Sequence, residues 1–365
     1  YGRMLLPLQY GYPADRFCPA RMGVNERRFS NEPISPSDLQ RFACEVSYVS
    51  HATETAESIL QTQLTKQISD SDRRLLIGTF EQMKAHYAGG GDVLCVRWIR
   101  RMFEKSLVDC RVMVDPSCIG PIVDFFAQRI NNAMFRHQSL KWCAELGVDL
   151  HLWGRGWEKH PMLSKFAKGT ADNVAQLRAI YQASKINLQV TPFGAVHQRL
   201  LDGLMSGGFF LIRNNRGDRL GQPHKTLWNW CQRNGIQNDS QLNSAIDDEI
   251  RPTIEQINWL EAHRWGKRDF PLLYDTCRAH AETDFMSSAD SIWPGEYDAI
   301  AFETKDELQK KLHLFMNDES RRQQIAASMR QRVLSTMTYT AISQRMLTMI
   351  GDQLEQISQQ IRSAA

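Results

Sequence analysis

The sequence is short of the marks that identify several common protein classes. Its 8 cysteines include no C-x-x-C pair. That excludes motif-type metal and redox sites and leaves reduced, mostly buried thiols of a cytoplasmic protein. No apolar run approaches the roughly 18 residues of a membrane span. Charge of one sign is not in excess, since 44 Lys and Arg against 41 Asp and Glu leave a net +3. Nothing global therefore favours nucleic acid or a lipid surface. Small basic clusters such as Arg27-Arg28 and Arg100-Arg101 read as solvated helix faces. There is no G-x-G-x-x-G fingerprint, no internal repeat and no recognisable lysine site for pyridoxal phosphate. Asp70-Ser71-Asp72 has the letters of a D-x-D metal motif but falls in a helix-capping turn. No cofactor and no metal ligand set is expected. The chain opens at Tyr1 rather than Met, and Tyr1 to Tyr10 reads as the end of a structural unit, as in a fragment or a processed chain.

What is present is an ordinary globular composition, 42% apolar and 23% charged over 365 residues, enough for two or more domains. The most informative stretch runs from Lys185 to Arg213. Lys185 to Val190 reads as a buried strand, broken at Thr191 to Gly194. His197 to Ser206 fits a short helix with Leu200, Leu201, Leu204 and Met205 inward, and Phe209 to Ile212 is the next strand. This spacing implies parallel strands and a right-handed crossover.

The remaining chain supplies three further strands. Ala43 to Ser50 is one, with Ser50, His51 and Thr53 at its carboxyl end. His51 is a site candidate; the alternative is a loop histidine ahead of a helix. Residues 54–147 read as a helical insertion, with helices at 54–67, 72–87 (capped by Ser71), 93–107 and 122–146, the last two separated by Pro116, Gly120 and Pro121. Val148 to Gly154 is the second strand, and it ends in Gly154-Arg155-Gly156-Trp157, a turn whose glycines permit close approach to a ligand. Residues 214–294 read as a second insertion with helices near 225–234 and 250–265. Its tryptophans suit either sugar stacking or core packing. Tyr297 to Phe302 is the last strand, followed by a Thr304/Glu307 capping box, a helix at 318–335 and a final helix reaching about Ile361.

The expected fold is therefore α/β, with about five parallel strands and helices on both faces. Residues 1–42 would be a crossover or linker, 43–213 with 295–335 the Rossmann-like domain, and 336–365 a carboxyl-terminal helix. In such sheets ligands bind beyond the carboxyl ends of the strands, where His197, Arg199 and Asp202 fall in the first turns of a helix. A helix N-terminus beside an arginine suits a diphosphate.

Four stretches resemble the carboxyl-terminal domain of GT-B glycosyltransferases, nearest to the CgeB-like branch of group 1. They are L-P-L-Q-Y-G-Y-P-A-D-R-F-C-P-A (6–20), L-H-L-W-G-R-G-W (150–157), the Y-Q-A-S-K-I-N-L-Q-V and V-H-Q-R-L-L-D-G-L-M-S-G-G-F-F-L-I-R unit (181–213), and F-E-T-K-D-E-L with the segment 321–339. The resemblance implies a Rossmann-type, metal-independent, donor-binding half that moves a sugar from a nucleotide-sugar donor to a glycan or protein acceptor. It places Asp202 on the donor ribose and His197 and Arg199, the catalytic candidates, at the diphosphate or the transferred sugar. Gly154, Arg155 and Trp157 would border the nucleotide. Gly194 stands where the family carries an acid. Lys185 and Asn187 complete the donor-binding set, although a strand-edge charge and a structural amide are the alternatives for them. No nucleic-acid partner and no transmembrane segment is expected, and a peripheral membrane or oligomeric partner stays open. The competing function is a non-catalytic glycan- or protein-binding module on a degenerate GT-B domain.

Overall fold

A computed structural model describes residues 22–90, 94–171, 174–192, 194–262, 273–282 and 288–364. The expected crossover segment at 6–20, the Tyr1 to Tyr10 stretch, Phe193 and Trp265 lie outside the described residues. Five strands form one parallel sheet: β1 (Cys44–Val49), β2 (Leu150–Trp153), β3 (Ser184–Gln189), β4 (Phe210–Arg213) and β5 (Ala301–Phe302), in the spatial order β2-β1-β3-β4-β5. The register sets Ser47 opposite His151 on one side and opposite Asn187 on the other. This is the α/β arrangement, with a Rossmann-type parallel sheet, that the sequence implies.

The helices are α1 (Pro36–Phe42), α2 (Ala56–Leu64), α3 (Asp70–Ala88), α4 (Val96–Cys110), α5 (Pro116–Phe125) and α6 (Asn131–Glu145), then α7 (Val174–Ala183) and α8 (Gln198–Met205). After β4 come α9 (Gly221–Arg233), α10 (Asp239–Ala245), α11 (Arg251–Ala262), α12 (Leu273–Glu282), α13 (Ala289–Ile292) and α14 (Glu296–Ile300). The chain closes with α15 (Lys305–Asn317), α16 (Glu319–Thr336) and α17 (Tyr339–Ala364). Among the described residues no helix is long and apolar enough to cross a membrane.

Alternation along β4 assigns the two faces of the sheet. Phe210 meets Tyr181 of α7, ring to ring at 5.9 Å. A Cβ on Gly203 of α8 would come within 2.2 Å of the Phe210 ring, so only glycine lets α8 settle on the strand here. Arg213, on the opposite face, donates to the Phe135 carbonyl (2.6 Å) and the Ser139 hydroxyl (2.9 Å) of α6. Leu200, Leu201, Leu204 and Met205 are buried as expected. Each such side chain contributes roughly 1.5–3 kcal/mol by leaving water.

Several boundaries differ from the sequence reading. Ser69 caps α3, not Ser71: its hydroxyl accepts the Asp72 N–H at 3.1 Å. Pro116 opens α5 rather than separating helices, because an N-terminal proline gives up only an N–H that would be unbonded anyway. Gly120 and Pro121 lie inside α5, and a π-helical segment, Phe126–Ile130, joins it to α6. The last strand is only Ala301–Phe302, because residues 296–300 form α14. Tyr297 and Ile300 are both buried at a spacing of three, which suits one face of a helix.

Candidate functional site

The order of the strands locates a crevice. From β1 the chain passes to β2 on one flank, then crosses over β1 to build β3, β4 and β5 outward on the other. The connections therefore diverge between β1 and β3. In open parallel sheets this switch point, at the carboxyl ends of the strands, is where ligands bind. The residues there are Tyr48, Ser50 and His51 from β1, and Gln189 with the 190–197 loop from β3.

Two guanidinium groups converge on Tyr48, which is 1% exposed. Arg136, reaching over from α6, donates Nε to the Tyr48 hydroxyl (2.9 Å) and Nη2 to Ser50 Oγ (2.9 Å) and the His51 carbonyl (2.8 Å). Arg199, in the first turn of α8, lies over the Tyr48 ring at 4.9 Å. Its Nη1 stands 3.3 Å from Gln189 Oε1 and 3.5 Å from the Tyr48 hydroxyl. Burial alone would raise the Tyr48 phenol, but the charges of Arg136 and Arg199 and the Arg136 hydrogen bond outweigh it, and its pKa is lowered. Among the described residues neither arginine forms an ion pair, and Nε and Nη2 of Arg199 make no hydrogen bond. Two partly desolvated cations without a carboxylate favour an anion between them.

The N-terminus of α8 points at the same place. His197 caps it, with Nδ1 accepting from the Arg199 N–H at 3.5 Å. With Nδ1 as acceptor, the neutral ring carries its proton on Nε2. The imidazole pKa is lowered, by burial first and then by Arg199 and Arg136, so the ring is a neutral hydrogen-bond donor. The preceding loop is pinned from three sides. Gln189 Nε2 donates to the Ala195 carbonyl (2.8 Å), and Asn215 donates to the Pro192 carbonyl. Asp218, which is buried, accepts the Ala195 N–H with both carboxylate oxygens (3.0 and 2.8 Å). The Asp218 carboxyl is pushed up to about 7 by burial and by the charge of Asp290, against hydrogen bonds from Ala195 and Ala289.

The expected site residues fall into groups. His197 and Arg199 meet at the crevice. His51 and Arg155 lie on its β2 side, where the Arg155 N–H donates to His51 Nδ1 (3.0 Å) and Ala52 donates to the Arg155 carbonyl (2.8 Å). Gly154 serves that junction: a Cβ there would lie 2.2 Å from the Ser50 carbonyl oxygen, and its φ is +139°. Trp157 is fully buried beneath it, with Nε1 donating to the Ser50 carbonyl (2.6 Å) and its ring edge-on to Tyr48. Lys185 is exposed near the amino end of β3, away from the crevice. Asn187 is spent on the sheet, accepting from Ser47 (2.7 Å) and donating to the Tyr181 and Phe209 carbonyls. Gly194 has open space on its Cβ side except for Asp218 Oδ1 at 3.5 Å. Asp202 accepts from Gln198 (2.6 Å) instead of pairing with Arg199. Its carboxyl is pushed up to about 6 by burial, against the Gln198 hydrogen bond and the charge of Arg28.

Sequence reasoning missed Arg136, Tyr48, Gln189 and Asp218. Tyr48 and Gln189 had a signal, since each stands at the carboxyl end of a strand the sequence marks. Arg136 had none, lying mid-helix between unremarkable neighbours. Among the described residues no group of three or more His, Cys, Asp or Glu side chains is placed to hold a metal ion.

One protein-family profile, described as glycosyl transferase-like, matches residues 136–223 and 281–348. The two matched segments carry β2 to β4, both arginines of the crevice, and the sheet's last strand with α15, α16 and the start of α17. No curated protein and no solved structure matches the chain.

Proposed function

We propose that this chain is the donor-binding half of a GT-B-type glycosyltransferase, moving a sugar from a nucleotide-sugar donor to a glycan or protein acceptor without a metal ion. The observation that carries the reading is the pair Arg136 and Arg199, converging on Tyr48 at the switch point without a carboxylate partner among the described residues. The glycosyl transferase-like match, which takes in both arginines, supports it.

In this account the donor diphosphate sits at the N-terminus of α8, between the two guanidiniums. Sugar transfer builds positive charge on the anomeric carbon while the diphosphate leaves with the negative charge. Cations and helix N–H groups already aimed at that position favour the transition state over the ground state. Neutral His197 donates its Nε2–H to the departing oxygen or the transferred sugar. His51 and Arg155 border the nucleotide, and Asp202 reaches a ribose hydroxyl as the resemblance implies. Gly154, Trp157 and Asn187 hold the walls of the crevice. A cytoplasmic location goes with this reading.

A second reading keeps the binding and drops the turnover. No carboxylate side chain stands at Gly194, and the nearby Asp218 is buried against Ala195. That favours a non-catalytic glycan- or protein-binding module on a degenerate GT-B domain. Incubation with UDP-, GDP- and ADP-sugars, with and without glycan acceptors, separates the two. Release of nucleoside diphosphate that Arg199→Ala slows at least tenfold supports the transferase. Glycan binding with no release supports the module.

A further inference from the structure

The last helix, α17, is packed at its start and exposed at its end. Gly23 lies against Tyr339 and Ile342, and the Val24 N–H donates to the Met337 carbonyl while Tyr339 donates back to Val24. From Gly351 to Ser363, by contrast, every residue is exposed. An isolated helix of that length is marginal in water even with good helix formers, and a glycine inside weakens it further.

Its exposed apolar residues are ordered. Leu347, Ile350, Leu354, Ile357 and Ile361 leave 51–68% of their surfaces in water. Their spacing alternates three and four, which makes Leu347, Leu354 and Ile361 the a positions of a heptad and Ile350 and Ile357 the d positions. The positions beside this seam are Gly351, Gln353, Ser358 and Gln360, none of them charged. The charged residues Asp352, Glu355 and Arg362 lie at b and f, off the seam.

We propose that α17 joins copies of this chain in a parallel coiled coil of three or four strands. In a parallel coil each g position faces an e position of the neighbouring helix, so the neutral residues here, Gln353 against Ser358 among them, oppose no like charges. Leucine at a with isoleucine at d favours more than two strands. Small side chains at e, Gly351 and Ser358, suit that geometry, since a wider bundle covers more of the flanking positions. A lipid surface is the poorer occupant, because the polar face carries Asp352, Glu355 and Arg362 rather than a run of basic residues.

Light scattering on the full chain, over a hundredfold concentration range, tests the proposal. The expected mass is three or four times 42.0 kDa. The double variant Leu354→Asp, Ile357→Asp should fall to one chain while its near-UV spectrum and nucleotide response stay unchanged. Gln353→Glu with Ser358→Glu, a facing g–e pair, should raise the dissociation constant at least tenfold at low salt, and salt should restore assembly. A monomer at all concentrations, a dimer, or an assembly untouched by the aspartates would overturn it. So would a monomer that sediments with phosphatidylserine vesicles.

Discussion

The Nε of Arg136 lies 2.9 Å from the hydroxyl of Tyr48, although the two residues are 88 positions apart in the chain. The contact ties the long helical run after β1 back to that strand's own carboxyl end. It fixes the orientation of one guanidinium, while Arg199 lies over the ring of the same residue at 4.9 Å.

That relation predicts the effect of Arg136→Lys. The lysine keeps the charge but not the fork that spans Tyr48, Ser50 and His51. Thermal or urea unfolding should show a loss of about 2–4 kcal/mol, because buried acceptors lose their donors. Tyr48→Phe should cost about 1–3 kcal/mol by leaving the Arg136 Nε–H unbonded.

Gly154→Ala should be among the most damaging small substitutions in the chain. The added Cβ would meet backbone, the Ser50 carbonyl oxygen at 2.2 Å, in a conformation with φ of +139°. Backbone strain and overpacking together cost about 3 kcal/mol or more. Gly194→Ala, whose nearest neighbour is Asp218 Oδ1 at 3.5 Å, should cost about 1–2 kcal/mol through its positive φ. Unfolding curves of the two variants side by side check the ranking.

The same glycines show how far the sequence could be read. The β3–α8–β4 unit was legible because its apolar residues run in short blocks with turn residues between them, and Leu200, Leu201, Leu204 and Met205 are buried as their spacing predicts. Gly154 marked a turn, but the sequence did not show that the β1 backbone, rather than a ligand, fills the space beside it. Arg136 was illegible for a plain reason. Nothing in its neighbourhood distinguishes it until α6 lies across the sheet. Tyr297 to Phe302 was misjudged because a short apolar run suits a strand or a helix equally, and here Tyr297 and Ile300 are buried on one face of a helix while only Ala301 and Phe302 join the sheet.

The pH dependence of stability should carry the mark of Asp218. Its carboxyl is raised to about 7, by burial first, so the folded chain holds that proton more tightly than the unfolded chain. The stabilising contribution is full below the unfolded value near about 4 and is lost as pH rises through about 7. Between pH 5 and pH 8 the wild type should lose stability relative to Asp218→Asn, on the order of a few kcal/mol. Urea midpoints at the two pH values measure this difference.

His137 works in the opposite direction. Burial above all, then His160, Arg136 and Lys141, holds its imidazole down to about 3, and its Nε2 sits 3.1 Å from Thr53 Oγ1. The stability of the neutral ring is present above about pH 6.5 and is lost as pH falls toward 3. His137→Phe should be less sensitive than the wild type between pH 6.5 and pH 4, as read by unfolding at each pH.

The crevice itself is tested most directly by calorimetric titration of the full chain with UDP, GDP and ADP, wild type against Arg199→Ala. The account predicts that at least one diphosphate binds and that the variant weakens it roughly 10- to 100-fold, the value of about 1.5–3 kcal/mol for charge-assisted hydrogen bonds. The unfolding midpoint of Arg199→Ala should stay within experimental error of the wild type. Absence of binding by the wild type, or equal affinity in the variant, would contradict the assignment of this crevice to a donor diphosphate.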